Sequence, residues 1–465
     1  NSGANNKARI QVVNGVATFN ELTLAGSIAE NYKLKFALEG TAFETPATAD
    51  LQVIAGDPYK LSVVTQAITR ETGQELIQNP VVKLLDKWNN PITTHAPLTV
   101  EMGVTPGSGT DAGQLVFKDG SGNVLPNGNQ ITFANGVVSF EHVTLIGKPG
   151  VGYSFSFDIL APTSILGADT NAVQVSAGAP DHISVTTQII GGVTGKVLTQ
   201  APVITVYDGY GNIVTNGGNI CVTVSGTTNT TIRSDDASKV ACDEKNGVTD
   251  GKIEFIDDAT AGAHGLIAFG SPDAIHQLHF TATVPAVVAN PSANPPVLAR
   301  DAYELSTDSN TFSMTNDLPV GLVLVTQPVA QRTGDRLTQQ PILKIVDQNG
   351  YLAKTDNATQ VTVSTSTFAG TDATSTVSGR TTITAVAGEV KFTDLEFIGT
   401  PGTANKFKLV FSATGFSNLL SNEMSVTPGT PAALLSSITA VVNRSGEVMP
   451  QIGRASCRER VSSPV

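Results

Sequence analysis

The sequence predicts an all-β protein, a row of tandem antiparallel β-sandwich domains. Three observations lead to this fold class: one short pattern recurs along the chain, apolar and polar residues alternate in several segments, and the composition favours strands. Of the 465 residues, 44 are glycine and 24 are proline, while only 15% are charged and one is tryptophan. Glycine and proline supply the tight turns that short strands need.

The recurring pattern begins at a proline. An aliphatic residue and a Gln come next, then a Gly, a second Gln and a second proline, and an acid comes last. The repeat-defining positions are the prolines Pro58, Pro180 and Pro319, the glycines Gly73, Gly195 and Gly334, and the acids Asp86, Asp208 and Asp347. Pro431 begins a fourth copy. The four prolines are spaced by 122, 139 and 112 residues, which indicates a tandem array with one domain per copy.

The fourth copy keeps this spacing only as far as Gln451. From Ile452 onward the chain reads Ile-Gly-Arg-Ala-Ser-Cys-Arg-Glu-Arg-Val, which resembles the conceptual translation of a sequencing-library adapter. We therefore expect 452–465 to be a non-native tail; the alternative is a basic, disordered C-terminal tail. The pattern divides the rest into part of a truncated repeat (1–55), complete repeats 1, 2 and 3 (56–177, 178–316 and 317–428), and the start of a further truncated repeat (429–451).

Alternation of apolar and polar residues places strands within each repeat. Tyr153, Phe155 and Phe157 alternate with polar residues, which gives a strand one apolar face. The same period occurs at Tyr32–Leu38 and Phe407–Phe411. In repeat 1 we also predict strands at Leu61–Val64, Val81–Leu85, Leu98–Met102, Val137–Phe140 and Ala172–Val175. Short strands at near-regular spacing indicate an antiparallel sandwich.

A second pattern closes each repeat. It consists of Gly-x-aliphatic-x-Phe, a further strand and a final Gly. Its four copies are Gly15–Gly26, Gly136–Gly147, Gly251–Gly262 and Gly388–Gly399, of which Gly251–Gly262 is the weakest match. Because the unit recurs at both its start and its end, we expect each repeat to be a whole domain.

The acid at the end of the first pattern belongs to a predicted turn. Asp, Asn and Gly cluster after Asp86, Asp208 and Asp347, and these residue types accept positive φ or hydrogen-bond their own backbone. The alternative is that Asp and Asn oxygens bind calcium there, although no copy has the carboxylate density of a dedicated calcium loop. We expect no cofactor, with calcium at the turn acids or between domains as the weaker alternative.

Two cysteines, Cys221 and Cys242, fall in repeat 2, and Cys457 falls in the tail. We expect the first two to form a disulfide, which would add about 3 kcal/mol in the chain-entropy model. Two buried free thiols are the alternative. No Cys or His spacing around them matches a zinc site.

Few clusters suggest catalysis. His264, His276 and His279 are close in sequence, but residues three apart on a strand face opposite sides, so we expect surface or turn histidines. The adjacent aspartates at 235–236 and 257–258 would point apart in an extended segment, unlike the facing carboxyl groups of glycosidases. No nucleophile elbow, P-loop or His-Glu-x-x-His motif occurs. We therefore expect no enzymatic activity.

Charge and hydropathy exclude two classes of partner. The net charge of −12 disfavours binding to phosphate backbones and anionic lipid, so we expect no nucleic acid. No stretch approaches the roughly 18 uninterrupted apolar residues of a membrane span.

The segments Pro-Val-Val-Lys-Leu-Leu-Asp86 and Pro-Val-Ile-Thr-Val-Tyr-Asp208, together with the closing Gly-x-aliphatic-x-Phe strand, resemble bacterial immunoglobulin-like repeats. These are the tandem modules of large surface proteins of the invasin and intimin kind. The resemblance covers nearly all of 1–451, and its motifs specify a fold rather than a ligand. It departs in repeat 2, where Cys221, Cys242 and a long stretch from Pro285 to Asp317 are additional.

The resemblance implies a bacterial protein outside the cell or at its surface. We expect a stalk or spacer segment of an adhesin-like protein, in which neighbouring repeats of the same chain are the first partners. One alternative is a ligand-binding module that holds a host protein or a glycan, with repeat 2 as the candidate. The other is a set of accessory repeats of an extracellular enzyme.

Overall fold

The computed structural model describes residues 8–106, 111–215, 219–227, 229–233, 239–242, 250–255, 265–287, 299–368, 374–402, 404–431, 434–435 and 456–457. The predicted fold class is confirmed, because the ordered elements of these ranges are β-strands arranged in immunoglobulin-like antiparallel sandwiches. Before residue 56 the chain forms one antiparallel pair, β1 (Asn31–Tyr32) with β2 (Leu51–Gln52).

Repeat 1 forms one sheet in the order β3-β4-β8, a second in the order β11-β10-β5-β7 with β12 also on β10, and the pair β6-β9. The strands are β3 (Lys60–Thr65), β4 (Val81–Leu85), β5 (Thr99–Pro106), β6 (Gln114–Phe117), β7 (Gln130–Thr132), β8 (Val137–Ser139), β9 (Val143–Ile146), β10 (Gly152–Ile159), β11 (Ala168–Asp169) and β12 (Val173–Gln174). The six strands predicted in this repeat overlap β3, β4, β5, β8, β10 and β12.

Repeat 2 forms sheets β13-β15-β19 and β18-β16-β22-β23, with β14-β24-β21 and β17-β20 beside them. Its strands are β13 (Pro180–Thr187), β14 (Gly192–Val193), β15 (Val203–Asp208), β16 (Cys221–Gly226), β17 (Thr231–Ile232), β18 (Val240–Cys242), β19 (Lys252–Glu254), β20 (Ala268–Phe269), β21 (Ile275–His276), β22 (Leu278–Val284), β23 (Tyr303–Asp308) and β24 (Phe312–Thr315).

Repeat 3 follows the same plan, with sheets β25-β26-β30 and β29-β27-β32-β33 and the pair β28-β31. Its strands are β25 (Pro319–Thr326), β26 (Ile342–Asp347), β27 (Gln360–Phe368), β28 (Ser375–Ser378), β29 (Thr382–Thr384), β30 (Glu389–Lys391), β31 (Glu396–Gly399), β32 (Lys406–Ser412) and β33 (Leu419–Leu420). Beyond it, β34 (Leu434–Leu435) pairs with β35 (Ser456–Cys457). Apart from 429–431, the other residues of the fourth copy and of the tail lie outside the described ranges.

Each repeat has its own hydrophobic cluster. The strand with the clearest alternation lies at its centre: Tyr153, Phe155 and Phe157 on β10 are fully buried, and so are the three apolar residues of β32, Phe407, Leu409 and Phe411. Burying one such side chain stabilises the fold by roughly 1.5–3 kcal/mol. The three clusters are separate, whereas the exact repeat boundaries stay predictions of the sequence pattern.

The strand predicted at Tyr32–Leu38 is mostly not formed. Only Asn31–Tyr32 is a strand, and the side chain of Leu38 is 49% exposed. An apolar strand face needs a facing sheet to cover it. The described residues before 56 supply only the β1-β2 pair, isolated bridges such as Ala37 with Glu44, and a ring contact between Phe19 and Phe36, so this face is only partly covered.

A parallel contact joins the beginning of each repeat to its end. Glu71 pairs with Ser176 in repeat 1, and Arg332 pairs with Thr427 in repeat 3. In repeat 2 the equivalent contact is the parallel pair β14-β24. This pairing brings the end of one repeat, and hence the start of the next, beside the Gly of the recurring pattern.

Candidate functional site: the joints between repeats

The recurring acid of each repeat lies at the end of the strand that pairs with the opening strand, which is β4, β15 or β26, and its side chain is buried. Asp86, Asp208 and Asp347 are 1%, 0% and 2% exposed. A buried carboxylate requires hydrogen-bond donors on its oxygens. Each acid obtains them from two sources, its own turn and the linker that enters the repeat.

The turn donates to Oδ1. In repeat 2 the backbone N–H groups of Tyr210 and Asn212 each donate to Oδ1 of Asp208 at 2.9 Å. The equivalent pairs of donors are Trp88 and Asn90 to Asp86, and Asn349 and Tyr351 to Asp347. The residue between each pair of donors has a positive φ, at Asn89, Gly211 and Gly350. This agrees with the turn expected from the clusters of Asp, Asn and Gly.

The linker donates to Oδ2. The N–H of Gly178 donates to Oδ2 of Asp208 at 2.8 Å. Gly56 and Asp317 donate in the same way to Asp86 at 3.0 Å and to Asp347 at 3.2 Å. Each of these donors lies two residues before the proline that opens its repeat, so the acid fixes the chain at the point where one repeat passes into the next.

The hydrogen bonds keep two of these acids ionised. Burial opposes ionisation of Asp208, but the donors from Gly178, Asn212 and Tyr210 outweigh it and hold the pKa of the carboxyl below its usual value. Burial likewise opposes ionisation of Asp86, and the donors from Gly56, Asn90 and Trp88 hold its pKa low. Hydrogen bonds to the charged form favour that form.

The opening prolines lie opposite these acids. Pro180 and Pro319 begin β13 and β25, where their cross-strand partners are Asp208 and Asp347. Pro58 lies just before β3, and the neighbouring Tyr59 donates its N–H to the carbonyl of Leu85. A proline lacks the N–H and has a fixed φ. The chain therefore leaves each linker with a restricted direction. Pro431 is exposed, and the strand that would follow it lies mostly outside the described residues.

The same turns contact the preceding repeat. The Nδ2 of Asn212 donates to Asp208 at 3.0 Å and lies 3.5 Å from the carbonyl oxygen of Gly147 in repeat 1. The Nδ2 of Asn349 donates to the carbonyl of Thr194 in repeat 2 at 3.2 Å. The same kind of contact occurs before repeat 1, where the Nδ2 of Asn90 donates to the carbonyl of Gly26 at 3.0 Å.

The surface that receives these turns is a Thr-Gly pair. Thr72, Thr194 and Thr333 come directly before Gly73, Gly195 and Gly334. The Thr hydroxyl accepts the N–H of a glycine near the end of the repeat, and the three glycine donors are Gly147 at 2.9 Å, Gly270 at 3.2 Å and Gly399 at 3.0 Å. The threonines were missed in the sequence, although their constant place before the recurring glycine was the signal that could have identified them.

The glycines themselves leave room for the next repeat. A Cβ on Gly73 would lie 2.2 Å from the ring of Tyr210, and one on Gly195 would lie 3.0 Å from the amide of Asn349. Both residues have φ near +75°, a region that favours glycine. At Gly334 the conformation is the same, but no described atom lies within 4 Å of the Cβ position.

Ion pairs add to the joint between repeats 2 and 3. Lys196 pairs with Asp317 at 3.1 Å, and Lys354 pairs with Asp273 at 2.7 Å. Most of these side chains are more than half exposed, although Asp317 is 12% exposed. Exposed pairs contribute at most about 1 kcal/mol, so the buried acid remains the stronger part of the joint.

The closing pattern of repeat 2 was aligned wrongly. Gly262 lies outside the described residues, and the glycine that occupies the position of Gly147 and Gly399 is Gly270. Its N–H bonds to Thr194 as theirs bond to Thr72 and Thr333. More residues separate Phe255 from Gly270 than separate Phe140 from Gly147. The spacing of the other copies therefore pointed to Gly262 and not to Gly270.

The expectation of a surface position for the histidines is wrong for His276. This side chain is fully buried; its Nδ1 lies 3.1 Å from the hydroxyl of Thr230 and its Nε2 lies 2.9 Å from the carbonyl oxygen of Ser271. It fills the place that Tyr153 fills in repeat 1, beneath the closing glycine. His279 does lie at the surface, beside Asp308.

The cysteines of repeat 2 lie away from the joints. Cys221 and Cys242 lie opposite each other on β16 and β18 and are joined in a disulfide, with Cα atoms 4.0 Å apart. His264, the aspartate pairs at 235–236 and 257–258, and the Pro-rich stretch at 290–296 lie outside the described residues. Within the described ranges, no three His, Cys, Asp or Glu side chains are grouped so as to hold a metal ion, and no helix is long and apolar enough to cross a membrane.

Comparison with known proteins gives likenesses of structure only. None of the protein-family models matches the chain, and no curated protein sequence matches it. FdeC, an adhesin of Escherichia coli, is 12% identical, with 80% of this chain and 100% of that chain covered and a TM-score of 0.27. Invasin, a bacterial integrin-binding protein, is 12% identical, with 81% and 62% covered and a TM-score of 0.26. A β-glucuronidase of Parabacteroides merdae is 12% identical, with 53% and 24% covered and a TM-score of 0.16.

Proposed function

We propose that this chain is a spacer segment of an extracellular or cell-surface adhesin-like protein, and that its function is to hold successive sandwich domains at fixed joints. The observation that supports this proposal best is the buried acid at each joint. One carboxylate binds its own turn through Oδ1 and the incoming linker through Oδ2, as Asp208 does with Tyr210 and Gly178.

A flexible tether would not need these contacts. Linkers rich in Gly and Ser behave as flexible random coils, so the domains that they join have no fixed relative orientation. Here the linker is short, its amide is bonded to a buried carboxylate, and an Asn or Tyr side chain reaches the preceding repeat. Three joints carry versions of this arrangement, at Asp86, Asp208 and Asp347. A spacer requires the same joint to be repeated, because each repeat must be held in a fixed orientation relative to the preceding repeat.

Small-angle scattering on the whole chain tests the proposal. We expect an elongated particle whose longest dimension is that of the repeats placed end to end. A compact particle, or the scattering of freely jointed beads, would contradict it. Replacing Asp86, Asp208 and Asp347 together with Asn should move the profile towards that of freely jointed domains, whereas replacing the loop residue Asp119 with Asn should leave it unchanged.

One observation favours a second function, the binding of a protein ligand by repeat 2. A surface cavity of about 620 Å³ lies between the start of this repeat and its last strand. Its rim carries Ile190 and Ile275, which are 67% and 70% exposed, and the amides of Gln188, Gln200 and Asn310 line it. A cell-binding assay that compares the chain with an Ile190→Ser, Ile275→Ser variant tests this function; equal binding would exclude the cavity.

A further inference from the structure

The first strand of repeat 3 has an open edge. β25 pairs with β26 on one side, and among the described residues no strand pairs with its other side. Ile345 on β26 lies opposite Leu322 and donates its N–H to the carbonyl of Gly388, away from β25. Residues opposite each other in a non-hydrogen-bonded antiparallel pair both point their N–H groups outward. The N–H of Leu322 therefore points to the open edge, as does that of Leu324 two residues later.

The equivalent edges of the other repeats are protected. In repeat 1 the N–H of Leu61, the counterpart of Leu322, donates to the carbonyl of Leu166 at 2.8 Å, and Leu166 donates back to Tyr59. In repeat 2 the hydroxyl of Tyr303 donates to the carbonyl of Pro180. Repeat 3 has a shorter connection at this place, 413–418 between β32 and β33 compared with 160–167 between β10 and β11.

The open strand is also apolar and uncharged. Leu318–Thr326 contains no Asp, Glu, Lys or Arg, and the side chains of Val320, Val323 and Val325 are 50%, 47% and 53% exposed. Charged residues or a covering segment normally protect such an edge from pairing with another strand. In repeat 2 the same strand carries the exposed Asp181 and His182; in repeat 3 the described residues supply neither form of protection.

We propose that two copies of this chain pair antiparallel along β25, with Val323 of one copy facing Val323 of the other. A second copy suits this edge because an antiparallel strand of the same sequence presents the same outward N–H and C=O groups, and because the uncharged segment 318–326 brings no like charges together in the new sheet. A two-fold axis at Val323 places Leu322 of each copy opposite Leu324 of the other, so their outward N–H and C=O groups form hydrogen bonds. Val323 and Val325 of both copies then lie on one face, where cross-strand pairs stabilise the sheet.

Disulfide trapping tests the register in the full chain carrying Cys457→Ser. A non-hydrogen-bonded pair holds its Cα atoms about 4.5 Å apart, within the range that a disulfide spans. Under mild oxidation, Val323→Cys should therefore give a covalent dimer. Ser62→Cys is the matched control, because Ser62 occupies the same place on β3, whose edge is covered. It should remain monomeric.

Sedimentation velocity over a concentration series tests the affinity without cross-linking. Val325→Lys should weaken dimer formation at least about tenfold, which corresponds to about 1.4 kcal/mol, while Val64→Lys at the equivalent position of repeat 1 should not change it. Circular dichroism checks that both variants fold. A parent chain that stays monomeric throughout, equal trapping of the two cysteine variants, or equal effects of the two lysines would overturn the proposal, and so would open-ended aggregation in place of a dimer.

Discussion

The carboxylate of Asp208 accepts the backbone N–H of Gly178 at 2.8 Å, although 30 residues separate them in the sequence. Gly178 belongs to the linker from repeat 1, and Asp208 ends strand β15 of repeat 2. The bond therefore fixes the linker to the body of the repeat that follows. The same relationship between Gly56 and Asp86 and between Asp317 and Asp347 makes it a property of the repeat.

Asp208→Asn should destabilise repeat 2 by about 1.5–3 kcal/mol, the value of a hydrogen bond to a charged group. The amide keeps one oxygen for the turn but presents an NH₂ group to the N–H of Gly178, so two donors face each other. Native-state hydrogen exchange at β15 measures the change. Asp119→Asn is the control: Asp119 makes the same turn with Ser121 and Asn123 but holds no linker, so a loss of equal size there would contradict the account.

The joints should weaken in acid. The folded-state pKa values of Asp86 and Asp208 lie below the usual value of 3.8. A carboxyl group whose pKa is lower in the folded than in the unfolded state stabilises the fold. This stabilisation is complete at pH values above the unfolded-state pKa and is lost as the pH falls through the folded-state pKa. The stability difference between the parent chain and Asp208→Asn should thus be constant from pH 7 to about 5 and shrink below about pH 4. If the stability difference between the two chains did not change down to about pH 2.5, the charge of Asp208 would not contribute to the stability of the joint.

Gly73→Ala should disturb the joint between repeats 1 and 2 more than the same change at Gly334 disturbs repeat 3. Both glycines have φ near +80°, so both substitutions carry a left-handed conformational cost of about 1–2 kcal/mol. Only at Gly73 does the new methyl group also meet Tyr210. Limited proteolysis of the linker at Ser176–Gly178 measures the joint. Cleavage should accelerate in Gly73→Ala and remain at the parent rate in Gly334→Ala.

Thr72→Val should cost about 1–3 kcal/mol, because it leaves the N–H of Gly147 without its acceptor. Thr144→Val provides the opposite case in the same repeat. Thr144 is 2% exposed and its Oγ1 has no hydrogen-bond partner among the described residues, so its removal should be neutral or stabilising. Denaturant unfolding monitored at Trp88, which lies in repeat 1, compares the two. A loss of similar size in both variants would mean that cavity effects, and not the hydrogen bond, decide the result.

Reduction of the Cys221–Cys242 disulfide should lower the stability of repeat 2 by about 3 kcal/mol, since the bond closes a loop with a sequence separation of 21. Repeats 1 and 3 contain no such bond within their described residues and should be unaffected. Hydrogen exchange with and without reductant resolves the repeats separately. Equal loosening of all three would argue that they unfold as one unit.

The sequence predicted the fold because the signals of the fold are local. Alternation at Tyr153–Ile159 and Phe407–Phe411 identified the central strands, and the clusters of Asp, Asn and Gly identified the turns with positive φ. Tyr32–Leu38 carries the same alternation without forming a full strand, because alternation describes one face of a strand and says nothing about the sheet that must cover it.

Only some of the residues of each joint could be predicted from the sequence. The acids and glycines were found through their spacing, but a spacing does not tell which backbone N–H a carboxylate will bind thirty residues away. The glycine that donates to Thr194 was assigned wrongly for a related reason. Additional residues before Gly270 change its sequence distance from the rest of the closing pattern. His276 was misplaced because a buried histidine differs from an exposed one only in its neighbours, here Thr230 and Ser271.

The most direct test of the central claim, that buried acids hold neighbouring repeats in one arrangement, is a distance distribution across a joint. Spin labels at Glu101→Cys and Thr223→Cys in the full chain with Cys457→Ser allow double electron–electron resonance across the Asp208 joint. We expect one narrow distance in the parent chain, a broadened one in Asp208→Asn, and no change in Asp119→Asn. A broad distribution in the parent chain that Asp208→Asn does not alter would contradict the account.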